Sequence, residues 1–353
     1  MQNAETVLSI LKQKSEHDEN YKFNRLYRNL FNEDFYLQAY QTIYAKEGNM
    51  TKGVDQNTID GFNRKQIKQL IDHLKSECYQ PLPVKRVYIP KKNNKKKRPL
   101  GIPVFSDKLI QEVIRELLEV IYEPLFCNTS HGYRPNRSCH TALYQTKQTF
   151  IGANWIIEGD ITGFFDNVDH ETLLKLLAKK ICDGRLLELI RRFLKAGYFE
   201  FKQVHNSLSG TPQGSNLSPI LANSARYHLA PELPSNWAEA PKNASGTTPY
   251  PKSKDVRNKR MVHESREYPR LPMSTALQLI DRMLRNVCEL CGAEVCSVEM
   301  HHICKLKNLS RNGRRHKPLW MKTMIALRRK TLAVCRECHV AIHAGKYDGV
   351  CVH

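Results

Sequence analysis

Four cysteines in the last part of the chain form two pairs whose spacing suits a metal ion. Cys288 and Cys291 enclose two residues, and Cys335 and Cys338 repeat this arrangement after forty-three intervening residues. Four thiolates can hold one closed tetrahedral zinc ion, and paired CxxC units in a reducing compartment favour metal over disulfides. A redox CxxC is disfavoured because neither pair has thioredoxin-like surroundings. The sequence predicts one structural Zn²⁺ here, and so small a module would be unfolded without it.

Histidines lie between and after these cysteine pairs. His301 and His302 follow a strand-like stretch, whereas His339 and His343 are one turn apart on the same face of a predicted helix. Imidazoles with i, i+4 spacing can bind one divalent ion together. Ordinary surface or core histidines are the alternative. A pair on a strand and a pair on a helix, both within a cysteine-rich module, favour a second metal site.

A carboxylate in the middle of the chain could also serve chemistry. Asp160 follows the apolar stretch 155–157, and Asp166 lies six residues further on. A carboxylate at the end of a buried strand is a common way to hold Mg²⁺ for phosphoryl transfer. Aspartates at such positions also cap turns or helices, so the pattern alone leaves both interpretations open.

The charge of the chain indicates a polyanionic partner. The sequence has 55 Lys and Arg against 35 Asp and Glu, which gives a formal net charge of +20. Residues 85–98 contain eight basic residues and no acidic one. A Lys-rich run is often a solvated tail, but this one lies between apolar, strand-like segments and is predicted to be a loop on a folded domain. The clustering favours nucleic-acid binding through phosphate contacts.

The chain divides into three parts without an internal repeat. Residues 1–230 have the pattern of one mixed α/β unit, and residues 273–353 form the Cys/His-rich module. Between them, residues 231–272 hold seven of the seventeen prolines and have little to bury, which predicts a disordered linker.

Apolar periodicity predicts the elements that position these groups. Residues 108–121 have the spacing of an amphipathic helix, and residues 155–165 that of a short buried strand that leads into a turn. Residues 171–195 are predicted to form two helices with a break near Asp183 and Gly184.

The sequence also gives expectations about location. It contains no run of eighteen apolar residues, so no membrane span is expected. The first residues lack the charged start and apolar stretch of a signal peptide. We therefore expect an intracellular protein of a bacterial cytoplasm or an organelle interior, with no membrane partner. The sequence leaves the oligomeric state open.

Five segments of the first part, in the expected order, resemble a group II intron reverse transcriptase/maturase. They are residues 49–62, 96–114, 131–143, 159–170 and 209–223. The resemblance implies the fingers and upper palm of that enzyme, with Asp160 as its first catalytic aspartate and intron RNA as a partner. The basic residues then assigned to RNA phosphate contacts are Lys91, Lys92, Lys95, Lys96, Lys97, Arg98, Arg134 and Arg137.

The resemblance fails where the palm needs its second group of carboxylates. The family has an aromatic-Ala-Asp-Asp tetrapeptide soon after the segment at 209–223, whereas this sequence contains no Asp-Asp pair. Two-metal nucleotidyl transfer needs those carboxylates, because one aspartate cannot clamp both ions. The helical thumb is missing too. We therefore predict an internally deleted form with an inactive polymerase, in which Asp160 is a remnant ligand.

Residues 286–345 resemble the HNH endonuclease at the C-terminus of many group II intron proteins. The resemblance implies a ββα-metal fold that cleaves target DNA with one catalytic Mg²⁺ or another divalent ion. His302 would be the general base, and His301 and His343, with His339 as a further candidate, would hold the ion. The middle Asn of many HNH sites is not clear, and Asn308 and Asn312 are candidates. Phosphate contacts to DNA are assigned to Arg328, Arg329 and Lys330.

The sequence as a whole predicts an α+β protein. A partial reverse-transcriptase fingers and palm is followed by a Pro-rich linker and a small zinc-bound ββα-metal HNH module. The predicted function is intron RNA binding joined to metal-dependent nicking of target DNA. Three alternatives stay open: a non-enzymatic RNA-binding splicing factor, an active polymerase with an unrecognised second motif, and a decaying reading frame without function.

Overall fold

The structure is a computed structural model, and its fold is α+β. It describes residues 2–46, 48–90, 97–151, 164–207, 209–211, 214–229, 273–303, 306, 309 and 317–347. The predicted linker 231–272 lies outside the described residues, as does most of the strand predicted over 155–165.

The chain begins with helices, and asparagine side chains cap the α-helices among them. They are α1 (Ala4–His17), a 3-10 helix (Tyr27–Phe31), α2 (Glu33–Ala45) and α3 (Arg64–Lys75). The side chains of Asn3, Asn32 and Asn63 accept hydrogen bonds from the first turns of α1, α2 and α3. Because the first backbone N–H groups of a helix have no partner within it, these caps fix where each helix starts.

Helix α4 (Phe105–Tyr122) forms the centre of the core. Leu109, Val113, Leu117 and Ile121 are fully buried, and the helix packs against α1 and α2. Burying one such side chain contributes about 1.5–3 kcal/mol, so this face anchors the surrounding helices. The amphipathic helix predicted over 108–121 is confirmed.

A small sheet frames the Lys-rich segment. Its strands are β1 (Val84–Pro90), β2 (Lys97–Ile102), β3 (Tyr198–Glu200) and β4 (Gln203–His205). The strand order is β2-β1-β3-β4, with β1 antiparallel to β2 and parallel to β3. The intervening residues 91–96 lie outside the described residues. The loop expected there therefore stays a prediction, and β1 and β2 pair on either side of it.

Further helices complete the first part of the chain. They are α5 (Cys139–Thr149), α6 (Phe164–Asn167), α7 (His170–Ala178), α8 (Gly184–Lys195) and α9 (Ser218–Leu229), with a short 3-10 helix (Glu123–Leu125) after α4. The break predicted near residue 183 is confirmed, because the Asp183 side chain caps the start of α8. Helix α5 buries none of its residues, and Leu143 and Ile151 are exposed apolar side chains beside the expected palm.

The described residues in the last part of the chain alternate between helices and strands. They form α10 (Met273–Leu284), β5 (Glu299–His302), α11 (Leu319–Ala326), β6 (Thr331–Val334) and α12 (Arg336–His343). Strands β5 and β6 pair antiparallel, and α12 follows β6 directly. None of the described helices is long and apolar enough to cross a membrane.

This module packs against the first part of the chain. Val298 and Met300 are fully buried and belong to the same apolar core as α2 and α4. The backbone of Phe62, just before α3, forms an antiparallel bridge with Met300 of β5. The first part of the chain therefore lies directly against the strand that carries the histidine pair.

Candidate metal centres and nucleic-acid interface

The four predicted zinc ligands come together in space. Cys335 caps the start of α12 and Cys338 lies in its first turn, while Cys288 and Cys291 lie in the turn after α10. All four sulfurs are within 4.8 Å of one another, and the Sγ atoms of Cys291 and Cys335 are 3.8 Å apart. A tetrahedral ion with metal–sulfur bonds of about 2.3 Å needs sulfurs ~3.8 Å apart. The cysteine cluster therefore has the size of a tetrahedral metal site.

The environment of these thiols also fits a cation. Burial raises the pKa of Cys335 to about 12, and it raises the pKa of Cys338 as well. Without a nearby positive charge the thiols would stay protonated, because burial disfavours their anions. A bound divalent cation supplies that charge and stabilises the thiolate form.

A second cluster of possible ligands joins the strand, the helix and the first part of the chain. His301 comes from β5, and His339 and His343 come from successive turns of α12. Their fourth member is Asp60, which precedes α3 by four residues. One ligand atom of each residue lies within 4.8 Å of the others. The structure thus brings together the three predicted ion ligands and adds a carboxylate.

The hydrogen bonds around His339 leave a lone pair facing into this cluster. Its Nδ1 lies 2.6 Å from Oε2 of Glu299, so the ring donates its Nδ1 proton to that carboxylate. The Nε2 atom of His339 then lies 3.4 Å from Oδ1 of Asp60 and 3.1 Å from Nε2 of His343. A histidine fixed by a carboxylate in this way is the usual arrangement of a metal-binding imidazole.

His301 supplies an independent sign that a cation fits. Its side chain is 5% exposed, and neither ring nitrogen has a hydrogen-bond partner in the described part of the chain. Leaving a buried polar group unpaired costs about 1–3 kcal/mol. The Nδ1 atom lies 3.5 Å from Oδ1 of Asp60, so a cation between them would satisfy both groups.

The charges in the second cluster are strongly coupled. Burial alone would raise the pKa of Asp60, but hydrogen bonds from His339 and the His302 backbone, with the nearby imidazoles, lower it to about 2. Burial lowers the pKa of His301 to about 4. Burial also favours neutral His339, but its bonds to Asp60 and Glu299 outweigh this and raise its pKa. A carboxylate and three imidazoles form a donor set that a divalent ion can bind when the imidazoles are deprotonated.

The predicted general base lies apart from this cluster. His302 is 4% exposed, and its Nε2 is 2.8 Å from the hydroxyl of Tyr40 on α2. Burial lowers the pKa of His302 to about 3, so the neutral ring accepts a hydrogen bond from the tyrosine hydroxyl. Adjacent residues of a strand point to opposite faces, which separates His302 from His301. In this arrangement α2 covers His302, and its role as a base stays a prediction.

The residues predicted to contact nucleic acid differ in their exposure to solvent. Lys97 and Arg98 lie on β2 and are exposed, whereas Lys91, Lys92, Lys95 and Lys96 lie outside the described residues, as do Asp160, Asn308 and Asn312. Arg137 is half-buried and donates to the Asn128 carbonyl. In the last part of the chain, Arg328 and Lys330 are exposed, and Arg329 is half-buried with Glu289 3.5 Å away.

Arg134 does not have the environment that we predicted for it. The residue is 8% exposed, and its guanidinium donates to Glu123 and to the carbonyls of Cys127 and Ser130. Because these donors are occupied within the protein, Arg134 holds its own loop together. The expectation that it contacts an RNA phosphate is corrected on this ground.

Three residues of the site escaped the sequence analysis. Asp60 lies in a segment that was quoted only for its family resemblance, and Glu299 and Tyr40 were not singled out. Asp60 and His301 are 241 positions apart. No local spacing connects residues so far apart, and the pairing of the segment before α3 with β5 brings them together. Glu299 could have been found, because it lies two residues before His301 on the same strand face.

Comparisons with known proteins identify both parts of the chain. Residues 89–245 match the family described as reverse transcriptase (RNA-dependent DNA polymerase). Residues 288–339 match the AI2M/AI1M-like HNH endonuclease family, and this segment includes the four cysteines of the first cluster with His301, His302 and His339. The two matches agree with the resemblances found in the sequence.

Curated relatives match the first part of the chain. The group II intron-encoded protein LtrA of Lactococcus lactis subsp. cremoris is 52% identical over 229 residues, which are 65% of this chain and 38% of that protein. An uncharacterized 91 kDa protein in a cob intron of Schizosaccharomyces pombe is 44% identical over 231 residues, 64% of this chain and 28% of that protein. The chain thus spans well under half of the length of these relatives.

Proposed function

We propose that the chain is a group II intron reverse transcriptase/maturase with an HNH endonuclease, and that it binds intron RNA and nicks target DNA but does not polymerise. The observation that carries the nuclease proposal is the convergence of His301, His339 and His343 beside the four-cysteine cluster. A zinc ion at the cysteines would hold the turn after α10 to the start of α12. That connection keeps the β5–β6 hairpin against the helix that carries two of the imidazoles.

The chain's own residues would divide the work of cleavage among them. His301, His339 and His343 would hold a divalent ion, which when bound stabilises the charge that develops on a phosphodiester. Glu299 keeps the Nε2 lone pair of His339 directed at the ion. His302 is our proposed general base. Arg328 and Lys330 are exposed next to the hairpin, where they can contact the DNA backbone.

The nuclease proposal is tested by nicking of a supercoiled plasmid by the full chain with Mg²⁺ or Mn²⁺. We expect His343→Ala to abolish nicking, since an ion that loses one ligand binds more weakly. The side chain of His343 is 54% exposed, so its removal leaves no cavity in the core. The control is His73→Ala, an exposed histidine on α3, which should nick like the parent chain. Equal nicking by both variants would overturn the assignment.

The proposal that the polymerase is inactive rests on the missing carboxylates. The sequence has no Asp-Asp pair, and the segment after residue 223 leads into the Pro-rich stretch. We propose that Asp160 has no catalytic role, so that Asp160→Asn changes no activity. Primer extension that this substitution removes would show a working polymerase.

RNA binding is the proposed role of the first part of the chain. The exposed Lys97 and Arg98 at one end of the β1–β2 hairpin flank the Lys-rich segment, which supports contact with RNA phosphates. The proposed location is the compartment that holds the intron RNA, a bacterial cytoplasm or an organelle interior.

A non-enzymatic splicing factor is the second candidate function. The observation that favours it is the burial of His302 under α2, which closes the proposed nuclease site in the full chain. RNA binding by the full chain without nicking under any divalent ion would favour this candidate.

A further inference from the structure

The segment before α3 pairs with the strand that carries the histidines. The Gly61 N–H donates to the carbonyl of Met300, and the Met300 N–H donates to the carbonyl of Phe62. The nitrogen–oxygen distance is 3.0 Å in both hydrogen bonds. The segment therefore extends the β5–β6 hairpin by one bridge and fixes the position of Asp60. Gly61 has a φ of +76°, and a Cβ there would lie 3.2 Å from Cε1 of His339. Glycine allows this close approach, because its backbone adopts positive φ without strain.

The Asp60 carboxylate faces all three histidines of the second cluster. Its Oδ2 lies 2.7 Å from Nε2 of His343, and its Oδ1 lies 3.4 Å from Nε2 of His339 and 3.5 Å from Nδ1 of His301. A tetrahedral ion with bonds of about 2.0–2.1 Å places neighbouring ligand atoms ~3.3 Å apart. The three distances bracket that value. The backbone N–H of His302 also donates to Oδ1 over 2.7 Å and orients the carboxylate.

We propose that Asp60 is the fourth ligand of an ion that His301, His339 and His343 also bind, so that a metal ion fastens the reverse-transcriptase-like part of the chain to its nuclease module. The unpaired ring nitrogens of buried His301 are the second, independent sign of an ion at this place. Three imidazoles and one carboxylate suit Zn²⁺ or Co²⁺ better than Mg²⁺, which prefers oxygen ligands and bound water.

A fourth protein ligand changes what the site can do. Structural metal sites are closed by four protein ligands, whereas catalytic sites keep one position for water or substrate. With Asp60 in that position, the ion holds the nuclease in a resting arrangement. This consequence rests on the proposed function, but the ligand set itself does not.

The test is cobalt binding by the full chain after its cysteine site has been filled with one equivalent of Zn²⁺. Co²⁺ bound by imidazoles and a carboxylate absorbs visible light without a sulfur charge-transfer band. We expect the parent chain to bind one further equivalent and Asp60→Asn to bind it at least ~10-fold more weakly, since losing even an outer partner of a ligand costs 10–100-fold. The matched control, Asp72→Asn, removes the same charge from exposed α3 and should bind like the parent.

A second variant separates coordination from a merely structural role. In Asp60→Cys, a metal–sulfur bond of about 2.3 Å offsets part of the reach that the shorter side chain loses, since a metal–oxygen bond is about 2.0–2.2 Å long. If position 60 coordinates the ion, this variant gains a cobalt–sulfur charge-transfer band that the parent lacks. Unchanged affinity in Asp60→Asn together with no such band in Asp60→Cys would overturn the proposal.

These readouts contain no DNA, so the two proposals fail separately. Cobalt binding that depends on Asp60, in a chain that never nicks, would support the ion and contradict the nuclease. Nicking by a chain whose cobalt site ignores Asp60 would support the nuclease and contradict the fourth ligand.

Discussion

At the scale of single residues, His302 is proposed to act as a general base although its side chain is buried. Its side chain lies on the opposite face of β5 from the ion ligands and contacts Tyr40. We predict that His302→Gln retains the second cobalt site, because its side chain is not a ligand. The same variant should lose nicking about 10²–10⁴-fold, the usual contribution of a general base.

The cobalt titration and the plasmid assay check this prediction on one preparation. Nicking at the rate of the parent chain would place the base elsewhere. If the variant lost both cobalt binding and nicking, His302 would act by holding β5 in place.

Asp107 gives a residue-scale prediction about pH. It is 1% exposed and accepts hydrogen bonds from the Tyr79 hydroxyl and the Leu82 N–H. Burial outweighs these bonds and raises the pKa of Asp107 to about 7 from an ordinary value of 3.8. Between those values the folded chain keeps a proton that the unfolded chain releases. The contribution of Asp107 to the free energy of unfolding should therefore fall as pH rises from about 4 to 7 and change little above that.

Urea unfolding at several pH values measures this effect. The side chain at position 107 cannot ionise in the Asp107→Asn variant. The parent chain should therefore lose stability relative to this variant as pH rises across the same range. An identical pH dependence in both proteins would contradict the assignment.

The ligands themselves were predictable at this scale to different degrees. The four cysteines and the histidines of α12 are near neighbours in sequence, and their spacing alone indicates a metal. Asp60 was not predictable, since its position depends on a contact across 241 positions. The burial of Arg134 was missed for a related reason: a basic residue in an RNA-binding segment has the same sequence signal whether it pairs with phosphate or with Glu123.

At the scale of elements, the contact between α2 and β5 covers His302, the proposed general base. The Tyr40 hydroxyl donates to His302 in a buried position, so Tyr40→Phe leaves a buried acceptor without its partner. We expect the free energy of unfolding of the full chain to fall by about 1–3 kcal/mol.

Urea unfolding tests this prediction against Tyr144→Phe, which removes an exposed hydroxyl on α5. The control should change stability by less than about 0.5 kcal/mol. Equal effects of the two substitutions would mean that the α2–β5 contact adds little.

Helices were the elements that the sequence predicted best. The apolar spacing of α4 and the capping aspartate of α8 are local signals, and both helices are confirmed. The pairing of residues 59–62 with β5 has no local signal, because one bridge to a distant strand leaves no periodic pattern. The hairpin and helix of the HNH module were therefore predictable from the sequence, but the pairing of residues 59–62 with the hairpin was not.

At the scale of the whole molecule, two domain families lie in one chain that spans only part of the length of its curated relatives. Their combination supports a protein that recognises intron RNA and cuts DNA. The absence of an Asp-Asp pair argues that cutting is not followed by synthesis. The order of the two parts was evident from the sequence, but their direct contact was not, because a Pro-rich segment between them suggested independent domains.

We propose that the chain nicks DNA and does not extend the nick. The most direct measurement incubates the full chain with supercoiled plasmid, Mg²⁺ or Mn²⁺ and labelled deoxynucleotides, and it then scores nicked circles and incorporated label in the same gel. We predict metal-dependent nicked circles that carry no label. Plasmid that stays supercoiled under every ion, or nicked circles that carry label, would contradict the account.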